Sequence, residues 1–374
     1  MKPLALYIHI PFCRSKCIYC DFASFPNREG CWPEYLDALR EELHSWRDVL
    51  KDYEVATLFI GGGTPSILPG SAIARILDDV RGVLPIRDDA EITMEANPGT
   101  VTVEKLKTCR AAGVNRISFG AQSMDDALLK KLGRIHSVQE IRDAVATARA
   151  AGFDNVSLDL MYALPGQTLS HWLDTLDKAI ALKPDHISAY SLIVEEGTPM
   201  YDLAESGKVD LPDDDAVVDM QRAAIDRLEE AGYHRYEISN YARPGRECRH
   251  NIVYWQRGEY LGIGCAAHSL MNGARFENSR DLGEYLAGGR KLDYTGLTRE
   301  DEMEETLMLS TRMTCGMNLE EYRQTFGADF EKEHAKTIER LSKPGLIEIR
   351  DGFLRLTRSG LEVQNAVVVE LMEE

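Results

Sequence analysis

Six short β-rich runs alternate with longer amphipathic stretches across the first 200 residues, and this pattern limits the chain to a few folds. The runs are Leu4 to Ile10, Val55 to Ile60, Glu91 to Ala96, Asn115 to Gly120, Asn155 to Tyr162 and His186 to Val194. Between them lie segments of helical period such as "WPEYLDALREELHSWRDVL", "ARILDDVRGVL", "VEKLKTCRAAG" and "SVQEIRDAVATARAAG", several stopped by glycine. Strands separated by helices pair in parallel, because a parallel pair needs a long crossover. A doubly wound sheet and a partial (β/α)6 barrel both satisfy the pattern. Nearly every run is followed at its C-terminal end by a polar or glycine-rich signature, and that is the rim on which barrels assemble sites. The expectation is therefore a partial (β/α)6 barrel over residues 1–200.

Beyond it, residues 201–285 predict a further helix and strand, with the loop "CRHNIVYWQRGEYLGIGCAAHS", as an α+β extension. The Gly-rich "LAGGRKLDYTGLTRED" reads as a linker. Residues 300–374 predict a small winged-helix-like C-terminal domain whose hairpin is "LIEIRDGFLRLT", with the Asp-Gly turn such hairpins favour.

The rim signatures begin with "HIPFCRSKCIYCDF" (residues 9–22), in which Cys13, Cys17 and Cys20 are spaced C-x3-C-x2-C. Eight cysteines are sparse for 374 residues, so a tight cluster reads as a metal site rather than a disulfide framework. Three thiolates and His9 could close a Cys3His zinc site, although zinc ribbons usually split their ligands into two pairs. A packed single run of three thiolates favours instead an iron–sulfur cubane with one iron left open to a small ligand. Cys31, Cys109 and Cys315 lie far from the run and read as buried or incidental thiols.

With this spacing and Tyr19 before the last cysteine, the run resembles the radical S-adenosylmethionine signature. "YIHIPFC", "GGGTPS", "EANPGT", "RISFGAQS", "LGRIH", "LDLMYALPGQT" and "YLGIGCAAHS" extend the likeness over almost the whole chain. They resemble the oxygen-independent coproporphyrinogen oxidase family of radical S-adenosylmethionine proteins, and most closely its haem-chaperone branch. The resemblance implies a 4Fe-4S cluster on Cys13, Cys17 and Cys20, and S-adenosylmethionine contacts from Tyr7, Tyr19, Gly62, Gly63, Thr64 and Glu95. Gln122, Arg134 and Asp159 match positions where relatives hold a second S-adenosylmethionine. Read without it, Arg134 would be a surface helix residue, whereas Glu95 and Asp159 are acids in apolar runs that need partners.

Two departures bear on the reaction. The decarboxylating branch continues its signature to a fourth cysteine, where this chain has Phe22, and it carries a longer segment before the first strand. "HNIVYW" (residues 250–255) matches the motif of the haem-handling branch, which implies haem as cargo. Imidazole is a usual axial ligand, so His250 is the candidate, with Cys248 and His268 as competitors. The expected function is haem chaperoning with delivery to acceptor haemoproteins; oxidative decarboxylation of coproporphyrinogen III is the alternative.

Charge and the chain start narrow the partners. Forty-three Lys and Arg against 61 Asp and Glu give a formal charge of −18, and residues 300–374 hold nine basic against seventeen acidic side chains. Such a surface opposes phosphate backbones, so nucleic acid is not expected even at a winged-helix outline. "MKPLALYIHIPFC" lacks the long apolar run and cleavage site of a signal peptide, and no stretch is long and apolar enough to span a bilayer. The expected location is the cytoplasm.

Overall fold

The computed structural model of the chain describes residues 1–289 and 294–373. Six strands, β1 (Lys2–Ile10), β2 (Tyr53–Gly62), β3 (Ile86–Ala96), β4 (Arg116–Gln122), β5 (Val156–Tyr162) and β6 (His186–Ser191), lie side by side in chain order. Every neighbouring pair is parallel. Unbroken sequential order separates a barrel-type sheet from a doubly wound one, which reverses direction at a switch point. The sheet stays open.

Helices α1 (Trp32–Ser45), α2 (Gly70–Arg81), α3 (Val103–Ala112), α4 (Val138–Ala150) and α5 (Leu169–Ala181) make the crossovers. In α2 the buried side chains Ile73, Ile76, Leu77 and Val80 recur at helical spacing on one face. Each is worth about 1.5–3 kcal/mol in apolar burial, so Leu77→Asp would unseat this helix. Ser137 and Glu140 close a reciprocal capping box at the start of α4, which fixes where that helix begins after the Arg134 loop.

The sixth run ends earlier than its apolar sequence predicts. After Ser191 the chain leaves the sheet, and Leu192 and Val194 pack with Leu164 and Met200 in a satellite cluster. Apolar burial there replaces a strand.

Residues 201–285 extend the same sheet. Helix α6 (Asp214–Glu230) packs beside α5, and β7 (Asn240–Ala242) pairs antiparallel with β6. At the opposite end, β8 (Tyr260–Ile263) runs parallel to β1, followed antiparallel by β9 (His268–Met271) and β10 (Ala274–Glu277). Short edge pieces bring the sheet to twelve strands. Met220, Ile225, Leu261 and Phe276 share one core with the barrel side chains.

A second core, built from Leu307, Tyr322, Leu341, Leu354 and Leu371 among others, gathers the C-terminal residues. Helix α7 (Arg299–Ser310) opens this unit, and a three-stranded antiparallel sheet holds the hairpin Ile347–Arg350 and Phe353–Leu356. Asp351 and Gly352 both have positive φ, the geometry of a tight hairpin turn. Of the linker expected over residues 286–301, positions 290–293 lie outside the described residues. Among the described residues, no helix is long and apolar enough to cross a membrane.

Candidate functional site

The C-terminal ends of the six parallel strands open on a cavity of about 540 Å³. Tyr7, Tyr19, Gly62, Gly63, Thr64, Glu95, Gln122, Arg134 and Asp159 all line it, as do Cys13, Cys17, Cys20 and His250. Residues up to 243 positions apart in sequence meet there, from the strands, from the loops that follow them and, for His250, from a short helix.

The glycines have an internal reason. Gly62 has φ of 109°, and a Cβ on it would lie 2.5 Å from the imidazole of His9; one on Gly63 would lie 2.7 Å from the carbonyl of Phe12. The backbone therefore passes against the cysteine loop with no room for a side chain. The amide of Gly62 donates to Glu95 Oε2 at 3.0 Å.

The thiols are tied to the rim by a run of hydrogen bonds. Asn97 Nδ2 donates to Thr64 Oγ1 at 2.9 Å. That leaves the Thr64 hydroxyl hydrogen to point at Cys13 Sγ, 3.4 Å away. Arg134 donates through Nη2 to Asn97 Oδ1 and to the Gly120 carbonyl, both at 2.6 Å, and through Nη1 to Cys17 Sγ at 3.5 Å. Donors aimed at sulfur favour thiolate over thiol. Burial works against this at Cys13 and Cys20 and pushes both thiols up.

His9 is not placed as a zinc ligand. Its Nδ1 lies 3.0 Å from the Tyr7 hydroxyl and its Nε2 2.9 Å from the Ala23 carbonyl. A tetrahedral zinc ion needs its ligand atoms within about 4 Å of one another, and among the described residues no three His, Cys, Asp or Glu side chains converge in that way. The three thiols all line one cavity, and a cluster that draws a further ligand from that cavity is the arrangement their chemistry suits.

Opposite them stand the carboxylates. Burial first, and then the neighbouring Asp159, push Glu95 up to about 8, against the pull of the Gly62 amide and Arg116. Asp159 accepts from Ser118 Oγ at 3.0 and 3.1 Å and from Ser188 Oγ at 2.8 Å. Burial raises it too, opposed by Ser188, Arg116 and Ser118. A pocket that holds acids above their usual range is built to gain from a cation. Gln122 ends β4 at φ 64°, beside a register shift with β5, an irregularity of the kind that re-aims a side chain next to a site.

"HNIVYW" corrects the expected loop. It forms a short helix, Arg249–Trp255, with the buried His250 in its first turn. His250 Nδ1 lies 2.8 Å from Thr57 Oγ1 and Nε2 2.8 Å from the Tyr254 hydroxyl, while Glu91 accepts from its backbone amide at 3.1 Å. Burial, with Arg116 nearby, lowers the imidazole to about 3. It is a neutral ring with both nitrogens engaged. The competing thiol, Cys248, is fully buried with its sulfur 3.6 Å from Glu91 and lines neither this cavity nor the next. Cys109 is buried, Cys31 half-buried and Cys315 exposed, and none of the three lines the cavity.

Sequence reading missed Asn97 and Arg116. Asn97 sits inside the quoted "EANPGT", but its bonds to Thr64 and Arg134 are long-range contacts with no local trace. Arg116 opens its strand, where a charge reads as solvated, yet it is 2% exposed and lines the cavity.

Comparison with known proteins agrees with this geometry. The radical SAM superfamily model matches residues 7–179, and the HemN C-terminal domain model matches residues 297–363. The Heme chaperone HemW of Bacillus subtilis is 37% identical over 96% of this chain and 97% of its own length. The chain belongs to the HemW family. The Escherichia coli HemW is 48% identical over 72% of the chain and 70% of its own length. Among solved structures, coproporphyrinogen III oxidase (HemN) from Escherichia coli, described as a radical SAM enzyme, superposes with a TM-score of 0.86 at 26% identity, covering 100% of this chain and 90% of that one. Phe22, which stands where the decarboxylating branch has its fourth cysteine, lines the cavity and is 67% exposed.

Proposed function

We propose that this chain is a cytoplasmic haem chaperone that carries a 4Fe-4S cluster and S-adenosylmethionine, binds haem, and passes it to acceptor haemoproteins. The observation that carries this reading is the match to proteins named Heme chaperone HemW over nearly the full length of both chains.

In this reading Cys13, Cys17 and Cys20 hold the cluster, with Thr64 and Arg134 donating toward two of the sulfurs. When bound, the cluster supplies one electron to the sulfonium of S-adenosylmethionine, the chemistry that lets this superfamily make a carbon radical. Tyr7, Tyr19, Gly62, Gly63, Thr64 and Glu95 bind and orient that ligand. Glu95 gives up its proton when the cationic ligand arrives. Gln122, Arg134 and Asp159 would contact a second molecule of the ligand. Residues 300–374 act as a lid or docking unit, and their acidic balance excludes nucleic acid as the partner.

A second reading, oxygen-independent oxidation of coproporphyrinogen III, is favoured by the superposition on HemN. One experiment separates the two. Reduced, anaerobically reconstituted protein is incubated with S-adenosylmethionine and coproporphyrinogen III, and a parallel sample is titrated with haem. Saturable haem binding without protoporphyrinogen formation supports the chaperone; turnover without stable haem binding supports the enzyme.

A further inference from the structure

A second cavity, of about 640 Å³, lies against the first and shares Tyr7, Phe22 and Tyr254 with it. Its size falls in the ~300–1,000 Å³ range of ligand pockets, and none of the candidate cluster cysteines lines it.

Its walls combine three kinds of group. Phe22, Tyr254, Trp255 and Tyr260 offer aromatic surface, and Leu309 from α7 closes the side formed by the C-terminal unit. Arg280 brings positive charge to a chain whose formal balance is −18, whereas Arg275, also in the wall, is already engaged by Glu305 at 2.5 Å. Arg280 is 61% exposed and only loosely paired with Asp21, at 3.8 Å. The third group is His268, whose side chain is 64% exposed and whose Nε2 lies 3.0 Å from Glu277 Oε2.

We infer that this second cavity is the seat of the cargo, an iron tetrapyrrole with carboxylate side chains, and that His268, not His250, is its protein ligand. The inference rests on the chaperone reading above. Flat aromatic walls suit a macrocycle, and guanidinium groups suit carboxylates. A histidine held by a carboxylate through one nitrogen and open to a cavity has the usual surroundings of an iron-binding imidazole. Glu277 engages Nε2, which leaves Nδ1 as the nitrogen for iron. His250 lacks that freedom, because Thr57 and Tyr254 occupy both of its nitrogens inside the protein. The shared wall of Tyr7, Phe22 and Tyr254 places the cargo beside the cluster loop, so the state of one cavity bears on the other.

The test is a haemin titration of the full-length, anaerobically reconstituted protein, read by the Soret band, with iron and sulfide measured on each sample. His268→Ala should shift the Soret maximum and weaken haemin at least tenfold with cluster content unchanged. Arg280→Glu should weaken haemin, yet leave haemin dimethyl ester as tightly bound as by the unaltered protein. A His268→Ala protein with native affinity and an unmoved Soret band would overturn the assignment, as would loss confined to a His250→Ala protein that keeps its cluster. If the unaltered protein shows no saturable haemin binding, the chaperone reading itself falls, and this seat falls with it.

Discussion

Arg134 sets one guanidinium nitrogen 3.5 Å from the sulfur of Cys17 and the other on Asn97 and the carbonyl of Gly120. One side chain thus joins the proposed cluster loop to the ends of β3 and β4. Lysine could reach one of these acceptors but not fork between them. Arg134→Lys and Arg134→Ala should therefore weaken S-adenosylmethionine by similar amounts, about tenfold or more, which calorimetry on reconstituted samples would measure. A lysine variant with native affinity would show that charge alone matters there.

Cys17→Ala removes one of the three sulfurs. Anaerobic reconstitution of the unaltered protein should give about four iron and four sulfide per chain, as a cubane requires, and the variant should retain little of either. Stoichiometric zinc without sulfide in protein kept free of oxygen would return the loop to a zinc site.

Glu95 makes a prediction about protons. It holds its proton to about pH 8 in the folded chain, against 4.5 for an ordinary glutamate. An acid raised in this way opposes folding: stability is lost as pH climbs from the unfolded value toward 8, and no more is lost above it. Glu95→Gln should therefore be more stable than the unaltered protein at pH 8, by about 1–3 kcal/mol, and no more stable at pH 4. Thermal melts at the two pH values check this. The same glutamate should release a proton when the cationic ligand binds at pH 7. Calorimetry in buffers of different ionisation enthalpy would detect that proton, and the glutamine variant should lack it.

Glu305 joins the C-terminal unit to the barrel side, accepting from Arg257 at 2.9 Å and Arg275 at 2.5 Å. Burial raises its carboxyl, but the bonds from Arg275 and Arg257 outweigh this and hold it below the usual range. An acid depressed by its partners stabilises the contact above its unfolded value and loses it as pH falls through the folded one. Hydrogen exchange across Arg249–Trp255 should accelerate in Glu305→Ala at neutral pH, and in the unaltered protein only on acidification below the ordinary glutamate range. Equal exchange in variant and parent at pH 7 would deny the contact a role in seating this unit.

The strand order and the rim were legible in the sequence because both follow from local signals: period-2 and period-3.6 patterns, and polar signatures at strand ends. What the sequence hid depends on distant contacts. β8 looks like part of a loop-rich extension, and only its pairing with β1 makes it a parallel strand. The last apolar run resembles a longer strand, since periodicity cannot tell sheet burial of Leu192 and Val194 from packing against Met200. His250 beside aromatics reads as an open ligand, and its engagement by Thr57, 193 residues away, has no local trace. Nothing local to Arg116 shows that it is buried and lines the cavity.

The most direct measurement is an equilibrium titration of the cluster-loaded, S-adenosylmethionine-bound chain with haem, followed by the Soret band with iron and sulfide assayed on the same sample. One haem per chain, bound saturably with about four iron and four sulfide retained, is the expected result. No saturable haem binding by cluster-loaded protein, together with conversion of coproporphyrinogen III under the same conditions, would contradict the chaperone reading.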